Sequence, residues 1–379
     1  MRTSLLPHVA AANTLTRRWC AVAGTGDFVL SGCGVWPLLG LLATAANAPA
    51  RTELAAAVGL SADDAHEAAL RLLAELDEAE TVSGALGVWV REDVELRAEW
   101  ARSLPEGVVE KLTGQPALDA WADRRTGGLI DRFPLTVTAD TLLVLATAIV
   151  ARTPWLQPFD DDVLEPGAGP WRGHRGPGLS RFSSDLGDAA LLDAAEPVTR
   201  VTVRGRHDLD VHLLLGDGAP GDILGAGLDA LDGSIDARTA LPIGTEGPGL
   251  VVRETRALAD TVRIQVPPFV IRSSHDLLRH ADLFGLRTAS DDGAGRFPAI
   301  SQTPLYVADA AQDALARFTR EGFEAAAVTA VAMARAAGVP RPRRVTEISA
   351  TFDRPFGFLA VHRPTGLVIV AGWVADPPG

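Results

Sequence analysis

The sequence predicts an α+β fold in one domain spanning residues 1–379. Three observations carry this. Helical periodicity dominates up to about residue 80. Alternating and continuous apolar runs dominate the C-terminal half. Neither an internal repeat nor a long linker divides the chain, which suits helices and strands intertwined around one core.

The elements follow in order. Leu5–Ala23 reads as a helix broken by Gly24 and Gly26, and Phe28–Leu30 as a short apolar run. Trp36–Ala46 is an apolar helix ending before Pro49, and Thr52–Val58 a short helix closed by Gly59. Ser61–Leu76 is a helix with Ser61 as its cap and Asp63 and Asp64 in its first turn. The period then changes. Ala85–Val90 reads as a strand, Leu96–Ser103 and Ala117–Arg125 as helices, and Leu142–Val150 as a buried strand rich in Val and Ile. Asp160–Pro177, rich in Gly, Pro and Asp, reads as loop. Val201–Arg204 and Leu209–Leu215 form a hairpin, and Asp222–Leu231 is a short helix. Thr261–Val266 and Phe269–Arg272 are strands parted by two prolines. Ser274–Leu283 is a helix capped by Ser274 and closed by Gly285. Ala310–Thr319 is mixed and amphipathic. Phe356–His362 and Leu367–Val374 form a last hairpin around Pro364-Thr365-Gly366.

Composition excludes several classes of function. The chain is 47% apolar and 22% charged, a globular mix. Its net charge is −13, and Lys111 is its only lysine. Holding a nucleic acid needs clustered positive charge, so no nucleic-acid partner is expected. The longest apolar runs fall far short of the roughly 18–20 residues of a membrane span. The N-terminal residues show no secretory signal pattern, so a cytoplasmic location is the expectation. Two cysteines, Cys20 and Cys33, rule out a disulfide scaffold. They read as buried thiols, with a single bridge as the alternative.

Catalytic motifs are weak. Gly178-Leu179-Ser180-Arg181-Phe182 lacks the second glycine of a nucleophile elbow. Gly216–Gly221 fits G-x-G-x-x-G but carries Pro220 and sits late in a hairpin, not at the head of a βαβ unit. His207 and His212 sit on opposite faces of a strand and read as surface or satisfied histidines. No enzyme activity, metal or cofactor is expected.

One segment stands out. Glu321–Gly338 reads EGFEAAAVTAVAMARAAG. It suits an alanine-rich helix. Taken with period two, it also suits a strand in a crowded sheet, with Phe323, Ala325, Ala327, Thr329, Val331 and Met333 on one face. Val339–Val345, with two prolines and three arginines, reads as loop.

At this segment the chain resembles the serpin family. Gly322-Phe323-Glu324-Ala325-Ala326-Ala327-Val328-Thr329-Ala330 is similar to the hinge pattern G-[TS]-E-A-A-A-x-T-A. Asp353-Arg354-Pro355-Phe356-Gly357-Phe358 resembles D-R-P-F-x-F, and Ala371–Pro377 the final hairpin. Trp121 with Thr126–Ile130, Thr141–Pro158, Thr261–Gly285 and Asn47–Leu60 resemble further blocks in the family's order. The resemblance is read as that of a prokaryotic, monomeric member.

The resemblance implies a helix-rich α+β fold with three sheets and an exposed reactive-centre loop, about residues 322–345. It implies inhibition of a serine protease by the suicide route, in which the cut loop enters the central sheet as a strand. Counting from Gly322 places the scissile bond at Ala336–Ala337, which suits elastase- or subtilisin-like proteases. A shift of one gives Arg335–Ala336 and a trypsin-like target. Arg341, Arg343 and Arg344 are further trypsin-like cut sites. Trp155 matches the breach tryptophan. Ser31 matches the shutter serine, while Thr147 and Gln312 replace its usual Asn and His, and Gly32 and Gly34 replace Pro and Ser. Phe323 stands where Thr or Ser is usual. Its ring either clashes and slows insertion or finds an enlarged pocket. Arg320 replaces a common Glu. These departures leave a non-inhibitory serpin, a binding or regulatory module, as the alternative. Family resemblance also allows an extracellular location.

Overall fold

Helix boundaries follow local chemistry. The computed structural model describes residues 5–293, 295–323 and 343–377. Helix α1 (Pro7–Cys20) starts on a proline, where a missing N–H costs nothing. After strand β1 (Phe28–Leu30), α2 (Gly32–Ala45) is capped by Ser31, whose Oγ accepts from Gly34 N at 3.2 Å. Gly32 there is forced by close approach: a Cβ would lie 2.1 Å from Thr16 Oγ1 of α1. Helix α3 (Ala50–Val58) ends on Gly59 at φ 74°, and α4 (Ala62–Glu78) is capped by Ser61.

Strands follow: β2 (Val82–Val90), β3 (Val109–Lys111), β4 (Leu143–Ala151) and β5 (Thr153–Pro154), with α5 (Ala98–Ser103) and α6 (Gln115–Thr126) between them. Next come β6 (Asp160–Leu164), β7 (Gly176–Ser183), β8 (Ala189–Leu192), β9 (Val198–Arg204) and β10 (Leu209–Leu215). After α7 (Pro220–Asp232) the chain runs through β11 (Ala237–Arg238), β12 (Glu246–Gly247), β13 (Leu250–Ala257), β14 (Thr261–Val266) and β15 (Phe269–Asp276). The short α8 (Ala281–Phe284) precedes β16 (Ala311–Phe318) and β17 (Gly322–Phe323). The chain ends with β18 (Arg343–Thr351), β19 (Phe356–His362) and β20 (Leu367–Val374).

Among the described residues the strands form four hydrogen-bonded sheets, where the sequence reading expects three. Seven strands run β1-β20-β19-β10-β9-β8-β11 and six run β12-β13-β18-β14-β7-β6. The other two sheets are β15-β16-β17-β5 and β3-β2-β4. One residue, Arg152, separates β4 from β5, so these two are halves of one layer that has parted. The main core packs α1, α2 and α4 against this layer and the seven-stranded sheet. A second, smaller core lies on the layer's other face, where Trp89, Trp121 and Phe133 pack edge to face at 5.0–6.3 Å beneath α6.

Several expectations are corrected. Asp160–Pro177 is not all loop: Asp160–Leu164 is an edge strand, and β7 starts at Gly176. Pairing with β7 outweighs the low strand propensity of three aspartates. The helix expected from Ser274 does not start there. β15 runs on to Asp276, whose side chain caps a 3-10 turn at Leu277–His280, because β16 offers a partner through that residue. Ala311–Phe318 is a strand. Val339–Val345 is not all loop, since Arg343–Val345 pairs with β13. Cys20 and Cys33 are free, and burial pushes both thiols up to about 12. His207 lies before β10 and pairs with Glu80 at 2.8 Å. His212 is buried with Nδ1 unpartnered, so it is neither exposed nor satisfied.

Candidate functional site

The site is the parting between β4 and β16 and the short strand that closes its top. β17 pairs on both sides: Phe323 stands opposite Phe318 of β16 and opposite Thr153 of β5. Below that level β4 and β16 have no pairing with each other among the described residues. A cleft opens between them, lined by Thr147, Ala148, Gln312 and Asp313, and roofed by Trp121 and Phe133. Asp313 Oδ1 is buried there without a partner. Unpaired strand edges are a template for another strand.

Trp155 holds the top. It is fully buried; its indole N–H donates to Thr319 O at 2.9 Å and its backbone N–H to Glu321 O at 2.8 Å. Its ring lies 4.8 Å from Phe318. The turn from β16 to β17 is pinned by Thr319, whose N–H and hydroxyl both donate to Gly322 O. Arg320 turns outward to Glu321 and Asp161, at 3.0 and 3.3 Å. Opposite charge therefore answers the arginine that replaces the family's Glu.

Phe323 does not clash. It is 1% exposed and joins the main core, 6.3 Å from the Phe358 ring. Of the two expected outcomes, the structure shows the accommodating pocket.

Ser31, Thr147 and Gln312, the residues that match the shutter positions, are joined by a hydrogen-bond network. Gln312 of β16 makes a two-point contact with Ser31: its Oε1 accepts from Ser31 N and its Nε2 donates to Ser31 O, each at 2.8 Å. Ser31 Oγ donates to Ile369 O of β20 at 2.7 Å. Thr147 of β4 donates to Gly34 O. Both edges of the parting are thus tied to the first turn of α2. A Cβ on Gly34 would come within 3.2 Å of Gln312 Nε2 and Ser31 Oγ, so these side chains would have to shift by a few tenths of an ångström to admit one.

Of the hinge residues, Gly322 and Phe323 are placed. Glu324, Ala325, Ala326, Ala327, Thr329, Arg335, Ala336, Ala337 and Arg341 lie outside the described residues. Arg343 and Arg344 lie in β18.

Sequence reasoning missed Arg181. It sits 4% exposed in β7, donates to Gln157 O at 2.9 Å and stacks 4.9 Å over Phe159, which packs on Trp155. Burial pushes its pKa down to about 10. The inward alternation Leu179, Arg181, Ser183 was the available signal. Among the described residues no group of His, Cys, Asp or Glu could hold a metal ion, and no helix is long and apolar enough to cross a membrane.

Comparison with known proteins agrees with this architecture. A family model described as Serpin (serine protease inhibitor) matches residues 10–167 and 250–377. Serpin-Z2A of Oryza sativa subsp. japonica is 24% identical over 413 residues, covering 94% of this chain and 93% of its own. Such rice relatives lend no support to a prokaryotic member. Thyroxine-binding globulin in complex with thyroxine superposes with a TM-score of 0.70 at 16% identity, covering 98% of this chain and 99% of its own. Native protease nexin-1 with heparin gives the same TM-score and identity, with 98% of each chain covered. Members of this family are generally protease inhibitors, not enzymes, and their targets are generally serine proteases. With the family model spanning well over half of its length and both halves of the parted layer in place, the chain belongs to the serpin family.

Proposed function

We propose that this serpin inhibits a serine protease by the suicide route. The observation that carries the reading is β17: two residues of hinge already pair with both walls of a parting that is otherwise unfilled among the described residues. The protease serine attacks the carbonyl carbon at the scissile bond. An ester forms, the C–N bond breaks, and the amine leaves with a proton from the protease histidine. The freed hinge side then pairs downward from β17 and carries the tethered protease with it. Water must attack within an aligned oxyanion hole for the ester to hydrolyse, so a distorted protease stays trapped. The proposed bond is Ala336–Ala337, with an elastase- or subtilisin-like target; Arg335–Ala336 with a trypsin-like target is the neighbouring register.

The alternative is a non-inhibitory serpin that acts as a binding or regulatory module. The shutter favours it, because Gln312 and Thr147 tie both walls to α2 and resist further parting. Incubation with elastase, subtilisin and trypsin separates the readings. A band that survives denaturation at the summed mass supports trapping, and sequencing the released fragment locates the bond. Clean cleavage by all three, without that band and without a gain in heat stability, sinks the inhibitory reading.

A further inference from the structure

The hinge begins at the turn from β16 to β17, and one segment grips that turn from outside. Three consecutive carbonyls are held: Thr319 O accepts from the Trp155 indole at 2.9 Å, Arg320 O from Phe159 N at 2.9 Å, and Glu321 O from Trp155 N at 2.8 Å. All three donors lie within residues 155–159. The near end of that segment is fixed by strand-like contacts. Leu156 N donates to Arg204 O at 2.9 Å, and Trp155 bridges to Gly205. The far end is held by Arg181, which reaches across from β7. Its Nη1 donates to Gln157 O at 2.9 Å, and its guanidinium lies 4.9 Å over the Phe159 ring. Phe159 in turn packs on Trp155 and Phe318, the residues that flank the start of β17.

Arginine is a poor choice for stability at this position. Arg181 is buried, and its Nε has no partner. The acids whose charge reaches it are engaged elsewhere: Asp188 accepts from Arg204 and Ser183, and Asp210 from Arg363 and Gly205 N. Burial pushes the guanidinium down to about 10, opposed by the charges of Asp188 and Asp210, so it is still protonated at neutral pH. Apolar side chains of similar volume often replace a buried charge with no loss of stability. An apolar side chain cannot supply the two contacts that Arg181 makes, and both fall on the segment that holds the hinge turn.

We infer that Arg181 is a positioning residue for strand insertion: through Gln157 O and the Phe159 ring it fixes the segment that holds the hinge turn, and so fixes the point from which β17 grows. The inference rests on the strand-insertion reading above. The test compares wild type with Arg181→Met and Arg181→Lys. Hydrogen exchange of the uncut proteins reads the hold directly, at the Trp155 and Phe159 amides. Arg181→Met should speed exchange at both by about tenfold or more, the factor that one hydrogen bond from a charged donor carries, with the urea midpoint unchanged or higher. Arg181→Lys keeps the charge and the reach but loses the flat face, so exchange should rise about twofold to fivefold. Inhibition reads the consequence. Insertion competes with hydrolysis of the ester, so Arg181→Met should consume at least about twofold more serpin per protease trapped, and Arg181→Lys should recover part of the loss. Wild-type exchange at both amides overturns the inference. Exchange raised throughout the chain with a lower midpoint marks a purely structural role and overturns it too, as does faster local exchange with wild-type trapping. If the methionine variant does not fold, the lysine variant decides: wild-type exchange at Phe159 and wild-type trapping overturn the inference. If wild type itself traps no protease and gains no heat stability on cutting, the insertion reading fails and takes the role of Arg181 in insertion with it; exchange at Phe159 then reports the hold alone.

Discussion

Phe323 stands opposite Phe318 and, across the other edge, opposite Thr153. These two pairings set the register of any strand that grows downward from β17. Both neighbours run antiparallel to it, so each step along the hinge is one step back along β16 and one back along β4. Six residues on, Thr329 falls opposite Gln312 and Thr147 together.

That register is testable by crosslinking. After loop cleavage, the T147C/T329C variant should form a disulfide, because directly opposed strand residues lie within about 4.5–5.5 Å. The control pair T147C/V331C is two residues out and should remain reduced. Mass spectrometry of cut, unreduced protein reads both. A crosslink in the control alone sinks the register. The same extension sets Glu324 between the exposed Arg152 and Arg317.

Phe323 fills core space, so truncating it should cost stability before any cleavage. Phe323→Ala should lower unfolding stability by about 3–5 kcal/mol. Denaturant unfolding of the uncut protein measures this. A change under about 0.6 kcal/mol would mean the ring is not seated in solution.

Trp155 contributes a hydrogen bond as well as area. Trp155→Phe removes the donor to Thr319 O and leaves that carbonyl unpaired, at a cost of about 1–3 kcal/mol. Urea midpoints should fall accordingly with an unchanged slope.

The shutter should behave as a unit. Gln312 holds the backbone of Ser31 while the Ser31 hydroxyl holds Ile369 O, so both side chains fix one residue and the losses in Gln312→Ala and Ser31→Ala should not add; a double-mutant cycle should return a coupling of about 0.5–3 kcal/mol. Strict additivity would show that the two side chains hold Ser31 independently.

Acid should destabilise the fold through His212. Burial, helped by Arg200, pushes its pKa down to about 3, well below the ordinary value of 6.5. The unfolded chain then binds a proton that the folded chain refuses. Stability is full above about pH 6.5 and falls as pH drops toward 3, by at most about 1.4 kcal/mol per pH unit. His275, also pushed down by burial, acts in the same direction. His212→Leu should flatten the acid limb of melting temperature against pH; an unchanged slope counts against the neutral, buried state.

Much of the fold was legible in the sequence. Ser61 and Gly59 bound their helices through local caps, and the Val201–Leu215 hairpin shows in its alternation. Partners decided the misread elements. β6 is a strand because β7 lies beside it, and β15 outruns its apparent end because β16 does. Arg181 was hidden for the same reason: burial of an arginine depends on what folds over it.

By itself the sequence determined the α+β class, the helix ends, the hinge string and the family resemblance. These rest on interactions between residues close in the chain or on ordered motifs. Only the tertiary structure decided that β4 and β16 do not pair with each other among the described residues, that Phe323 is already seated, that Gln312 holds Ser31 while Thr147 holds Gly34, and that β13 flanks β18. Each joins segments distant in sequence, and strand pairing and burial are properties of both partners, never of one segment alone.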